Sequence, residues 1–143
     1  MAKVLGIDYG DTRIGIAVAE IEIGIAHPHS VIESGDKAIG EIANIIREES
    51  IKTLIIGLPK NMNGTEGNQA AATRLFAEKL SVSGGIEIVF QDERLSSKQA
   101  EDILIELDKS RDARKAEADA HQAAIILQTY LDSLSDGNDA WES

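Results

Sequence analysis

Residues 4–20 read VLGIDYGDTRIGIAVAE, and their pattern is strand, glycine turn, strand. Val4, Leu5 and Ile7 form a short apolar run, Tyr9-Gly10-Asp11 carries turn chemistry, and Ile14, Ile16 and Val18 alternate with small residues. Successive side chains of a strand point to opposite faces, so Asp8 shares a face with Val4 and Gly6. A carboxylate at the end of an apolar strand has to meet water, a hydrogen-bond donor or a cation, because an unpaired buried charge is costly. Gly6, Gly10 and Gly15 leave room around it for a backbone or a ligand. Asp11 suits the role of a turn residue; Asp8 does not, and it becomes the first candidate for chemistry.

Downstream of this hairpin, residues 21–32 predict a third strand carrying Ile23, Ile25, Val31 and Ile32. His27-Pro28-His29 interrupts it, so the strand is expected either to lie at an edge or to break at Pro28. His27 and His29 would share a face and look outward. Asp36 can cap a helix with Ile39, Ile42, Ala43 and Ile46 inward. The unbroken run Thr53–Pro59, TLIIGLP, predicts a strand covered on both faces. A polar loop follows, KNMNGTEG (residues 60–67), then a helix over 68–80 with Ala72, Leu75, Phe76 and Leu80 inward. Residues 86–91 predict another strand, leading into Asp92-Glu93-Arg94. Ser96 and Gln99 form a capping box for a helix with Ala100, Ile103, Leu104 and Leu107 on one stripe. A last helix is expected over 113–134, with Ala120, Ala123, Ala124, Leu127, Leu131 and Leu134 inward. The acidic end, residues 135–143, reads as a disordered tail.

The order β-β-β-α-β-α-β-α-α predicts a single α/β domain over residues 1–134, a five-stranded mixed sheet with helices packed on it. Ligands of such sheets bind at the carboxyl ends of parallel strands. Asp8, the loop that begins at Lys60, and Glu93 would all reach one rim if the first, fourth and fifth strands are parallel neighbours. Asp119 stands four residues before Ala123, beside the apolar stripe of the last helix. Three acids that each face packed structure repel one another unless a cation holds them. Oxygen-only ligands suit Mg²⁺ or Mn²⁺, and a two-ion site would serve phosphodiester hydrolysis.

Composition narrows the classes. The 143 residues include 43% hydrophobic and 27% charged side chains and no cysteine, which excludes disulfides and thiolate metal sites. No apolar run reaches the ~20 residues of a membrane helix, so a soluble cytoplasmic protein with no membrane partner is expected. With 14 Lys+Arg against 25 Asp+Glu, the net charge is -11. That field repels nucleic acid at long range, which argues against a binder relying on phosphate contacts alone. The segment 109–115, KSRDARK, is the local exception. Lys109, Arg111, Arg114 and Lys115 surround one acid there, and with Arg13, Lys60 and Arg94 they form the expected substrate-binding set.

Four motifs, GIDYGDTRIGIAV, GLPKNMNGTEG, DERLSS and KAEADAHQAAIILQTYLD, occur in the order and spacing of the YqgF/RuvX family. The chain resembles these bacterial Holliday-junction-resolvase-like proteins along all but its last ten or so residues. The resemblance implies a ribonuclease H-like fold and a metal-dependent nuclease acting in maturation of the precursor of 16S ribosomal RNA. It implies nucleic acid as partner, RNA ahead of DNA, with a junction resolvase or a catalytically silent binding module of the same fold as alternatives. The family's acidic triad, carried over position by position, falls on Asp8, Glu93 and Asp119. Asn63 stands where relatives often have Asp, so that position is not a required ligand. His121-Gln122 replaces smaller or apolar residues, and His121 turns away from Asp119 around the helix. A phosphate-binding domain of the sugar-kinase type shares the first motif, but such kinases need two domains and a cleft. Oligomeric state stays open.

Overall fold

A computed structural model describes residues 2–82 and 85–93 and the backbone of 115–142, with side chains of that last segment described over 120–134. Among these residues the elements run β1 (Lys3–Tyr9), β2 (Arg13–Glu20), β3 (His27–Glu33), α1 (Ala38–Glu48), β4 (Ile51–Leu58), α2 (Asn68–Ser81), β5 (Glu87–Asp92) and α3 (Lys115–Glu142). The expected helix over 100–107, its capping box, and Arg94, Lys109, Arg111 and Arg114 lie outside the described residues.

The sheet is mixed, in the order β3-β2-β1-β4-β5. The hairpin residues pair antiparallel, with Asp8 opposite Gly15, and β2 pairs antiparallel with β3. β1 and β4 are parallel, as are β4 and β5, so the three strands that carry the candidate site do end at one rim. β4 lies between two parallel neighbours, and its Leu54, Ile55 and Ile56 are fully buried. Burying each such side chain stabilises the fold by about 1.5–3 kcal/mol, which explains why this strand shows no polar alternation.

Each face has its own core. Leu5, Ile7, Leu54 and Ile56 pack with Ile42 of α1 and Phe76 and Leu80 of α2. Val4, Ala17, Ala19 and Ile55 pack with Ala123, Ala124, Leu127 and Leu131 of α3. Small residues let α3 come close. A Cβ added to Gly6 would meet Leu127 Cβ at 2.7 Å and the Ala123 carbonyl oxygen at 3.0 Å, so the helix rests on the backbone of β1. A buried amide ties the same helix to the loop after β2. The Ala26 N–H donates to Gln128 Oε1 at 2.9 Å, and Gln128 Nε2 donates to the Gly24 carbonyl at 2.9 Å and to Asp132 Oδ1 at 3.1 Å.

Several expectations change. β3 starts at His27 and runs through Pro28, tolerated because β3 is an edge strand with a register shift opposite, between Ile16 and Ala17. Ile23 and Ile25 fall in the preceding turn and loop and are exposed; His27 and His29 are exposed as expected. Lys37, not Asp36, precedes α1, with no side-chain cap. The buried stripe of α2 is Ala70, Thr73, Phe76, Ala77 and Leu80, whereas Leu75 is 59% exposed. Thr73 can be buried because its hydroxyl donates to the Gln69 carbonyl at 2.9 Å. In α3, Leu134 is at the surface, and Gln128 and Thr129 are buried. The α3 backbone continues helical to Glu142, through the segment that composition reads as a disordered tail.

Candidate active site

Asp8 is the penultimate residue of β1, and the strand register surrounds it with residues that lack side chains. Gly6 precedes it on the same face, Gly15 faces it across β2, and Gly57 of β4 lies one step beyond the Ile7–Ile56 pair. Strands disfavour glycine, which offers nothing to pack. Three around one acid therefore mark a shallow floor on the α3 side of the sheet, with Asp8 standing in it.

Glu93 immediately follows β5, whose Gln91 and Asp92 pair with Gly57 and Leu58. Its side chain folds back over β4: a Cβ placed on Gly57 would lie 2.5 Å from Glu93 Oε1. From there, when protonated, it donates a hydrogen bond to Asp8. Burial is the largest influence on Glu93, followed by the charge of Asp8, that hydrogen bond and the charge of Asp92; together they push its carboxyl up to about 7.

This donor set fits a hard divalent cation. It consists of carboxylate oxygens, and it is partly withdrawn from water. Among the described residues no group of three or more His, Cys, Asp or Glu side chains converges, so Asp8 and Glu93 alone form the described part of the site. The backbone of Asp119 lies in α3, one turn before Ala123 and so on the helix face that rests on Gly6; its side chain lies outside the described part. Asn63 accepts hydrogen bonds from the Thr65 N–H at 3.1 Å and hydroxyl at 2.7 Å, a turn-forming role.

The expected substrate-binding residues divide. Arg13 opens β2, exposed beside the turn after Asp8, and Lys60 stands in the loop just beyond β4. That loop is braced: the Asn61 N–H donates to the Thr65 carbonyl at 2.8 Å. Arg74 of α2 holds Glu66 with Nε and Nη2 at 2.7 and 2.8 Å. Lys115 is the first residue of α3, and Arg94, Lys109, Arg111 and Arg114 fall outside the described residues. Sequence reasoning missed the part played by Gly57, a glycine inside an apolar run whose significance depends on the register with β5. A cleft of ≈ 330 Å³ on the opposite face, lined by Tyr9, Ile14, Asp36, Ile39, Phe76 and Lys79 among others, carries none of the candidate acids.

The RuvX family model, described as Holliday junction resolvase, matches residues 2–133. A protein of Endomicrobium trichonymphae named "Putative pre-16S rRNA nuclease" is 44% identical over 139 residues, spanning 95% of this chain and 99% of its own. One of the same name from Caldanaerobacter subterraneus is 43% identical over 134 residues, 92% and 96% of the two chains. Among solved structures, Thermus thermophilus RuvC in complex with a Holliday junction substrate superposes with a TM-score of 0.61 at 16% identity, covering 93% of this chain and 96% of that one. The fowlpox virus Holliday junction resolvase superposes at 0.59 and 9% identity, covering 92% and 99%. These likenesses establish the ribonuclease H-like fold.

Proposed function

The chain belongs to the RuvX family, and from that premise we propose that it is a divalent-metal-dependent nuclease that hydrolyses phosphodiester bonds, with precursor 16S ribosomal RNA as the substrate. The observation that carries the reading is the carboxylate pair: Asp8 and Glu93 brought within hydrogen-bond reach at the shared end of parallel strands. Asp119, one helical turn from the contact with Gly6, completes the ligand set in this reading. Mg²⁺ or Mn²⁺ bound there would polarise the scissile phosphate and acidify the attacking water. The chain's own part is to hold the acids. β1 fixes Asp8, Gly57 leaves the space in which Glu93 meets it, and burial keeps the pair short of water so that ionisation favours cation binding. Similarity to a nuclease-named relative over 95% of this chain and 99% of its own supports this reading over the sugar-kinase alternative.

Incubating the protein with labelled precursor RNA and with a four-way DNA junction, with and without Mn²⁺, tests the assignment. Metal-dependent cleavage of the RNA is expected. Cleavage of the junction alone would make it a resolvase, and cleavage of neither would leave a binding module.

The basic segment supplies phosphate contacts in this proposal, offsetting the net charge of -11 near Asp119. Replacing Lys109, Arg111, Arg114 and Lys115 together by Ala should weaken RNA binding regardless of sequence. The slope of log affinity against log salt should flatten by about 0.7 for each single-strand phosphate the variant no longer neutralises. An unchanged slope would move the binding surface elsewhere.

A further inference from the structure

We infer that Gly57 is a positioning residue, and that the space left by its missing side chain is the seat that holds the Glu93 carboxylate against Asp8. The catalytic consequence rests on the nuclease reading above; the seat itself rests on geometry. Gly57 lies inside β4 with Gln91 as its partner in β5, and its φ is outside the left-handed region. Any residue could adopt this backbone, and almost any would make a better strand. The reason for glycine must therefore lie on the face its Cβ would occupy.

That face is filled by two side chains. A Cβ there would meet Glu93 Oε1 at 2.5 Å, Glu93 Cγ at 3.0 Å and Ile126 Cδ1 at 2.5 Å. All three atoms belong to rotatable side chains, two of them at the ends, so a methyl group can be admitted if Glu93 and Ile126 swing aside. Gly6 differs: its Cβ would meet a carbonyl oxygen and another Cβ, which move only if α3 moves. The two glycines face the same helix from neighbouring strands and do different work. Gly6 admits a helix; Gly57 admits a carboxylate.

Two possible roles of Gly57, seating Glu93 and accommodating Ile126, separate in a pair of full-chain variants, Gly57→Ala and Gly57→Ala/Ile126→Val. Removing Ile126 Cδ1 makes room for the new methyl on the helix side without returning the seat to Glu93. The single variant should fold with a lowered melting temperature, bind Mn²⁺ at least about tenfold more weakly by calorimetry, the scale on which removing a supporting group weakens a metal site, and lose cleavage. The double variant should recover the melting temperature and neither the Mn²⁺ affinity nor the cleavage. Recovery of Mn²⁺ affinity with the melting temperature would make Gly57 a packing glycine and overturn the inference, as would failure of the double variant to fold. A metal-free crystal structure of the double variant provides a check independent of both metal and activity. Glu93 should have left Asp8, and a Glu93 carboxylate still hydrogen-bonded to Asp8 would overturn the seat. Should wild-type protein bind Mn²⁺ and cleave nothing, the nuclease reading fails while the affinity and crystallographic comparisons still decide the role of Gly57.

Discussion

Asp8→Asn should abolish cleavage while leaving a folded protein that melts, without metal, at the same temperature or higher. The two halves of that result have one cause. Asp8 stands among Gly6, Gly15 and Gly57 with Glu93 against it, so once Glu93 is ionised the two charges repel. An amide would remove that repulsion together with the proposed ligand. Loss of a central member of a catalytic set costs on the order of 10⁴-fold or more in turnover, far beyond what a surface acid could produce. Circular dichroism and a thermal melt would establish the fold, and single-turnover cleavage of labelled RNA the activity. Wild-type turnover in a folded Asp8→Asn protein would remove Asp8 from the site.

The second large effect is a coupling of metal, proton and stability at Glu93. Its carboxyl is pushed from an ordinary 4.5 up to about 7, first by burial and then by Asp8. A carboxyl raised on folding stabilises the native state while it is protonated. That contribution is complete below the unfolded value and is lost as pH climbs through about 7. Metal-free protein should thus melt lower at pH 8 than at pH 5, by an amount on the order of a few degrees for a chain of this size. Saturating Mn²⁺ should close the gap by taking the place of the proton. Mn²⁺ affinity should tighten about tenfold per pH unit up to neutrality and then level off, as one proton is released on binding. Since the net charge also varies with pH, the measure is the difference between wild type and Glu93→Gln, in which this dependence should vanish. Identical pH profiles for the two proteins would show that Glu93 does not hold the linked proton.

The parts of this molecule legible in the sequence are those set by local pattern. The apolar run of β4 announces a strand covered on both faces, and Asp8 is visible because a charge ends a strand that is otherwise apolar. What escaped depends on partners distant in the chain. Thr73 reads as polar yet is buried, since its hydroxyl is satisfied within its own helix. Leu75 reads as core yet is exposed, because the position of α2 on the sheet, not its composition, decides which stripe faces inward. β3 passes through a proline that would stop an interior strand, and only the sheet order makes it an edge. In the site, Glu93 is visible as a charge at a strand end, but its lying across Gly57 follows from the register of β4 with β5.

Gln128 has a consequence for the opposite end of α3. With its acceptor and donors occupied by Ala26, Gly24 and Asp132, it acts as an indexing pin, fixing both the turn and the advance of a rigid rod on the sheet. Asp119 lies nine residues away on that rod, about 13 Å along its axis at ~1.5 Å per residue. A slip of one residue at the pin would swing Asp119 through about 100° and shift it about 1.5 Å, enough to take it out of the proposed ligand set. In the proposed site, the placement of Asp119 on the sheet would thus be set by an amide at the sheet end where the chain enters β3.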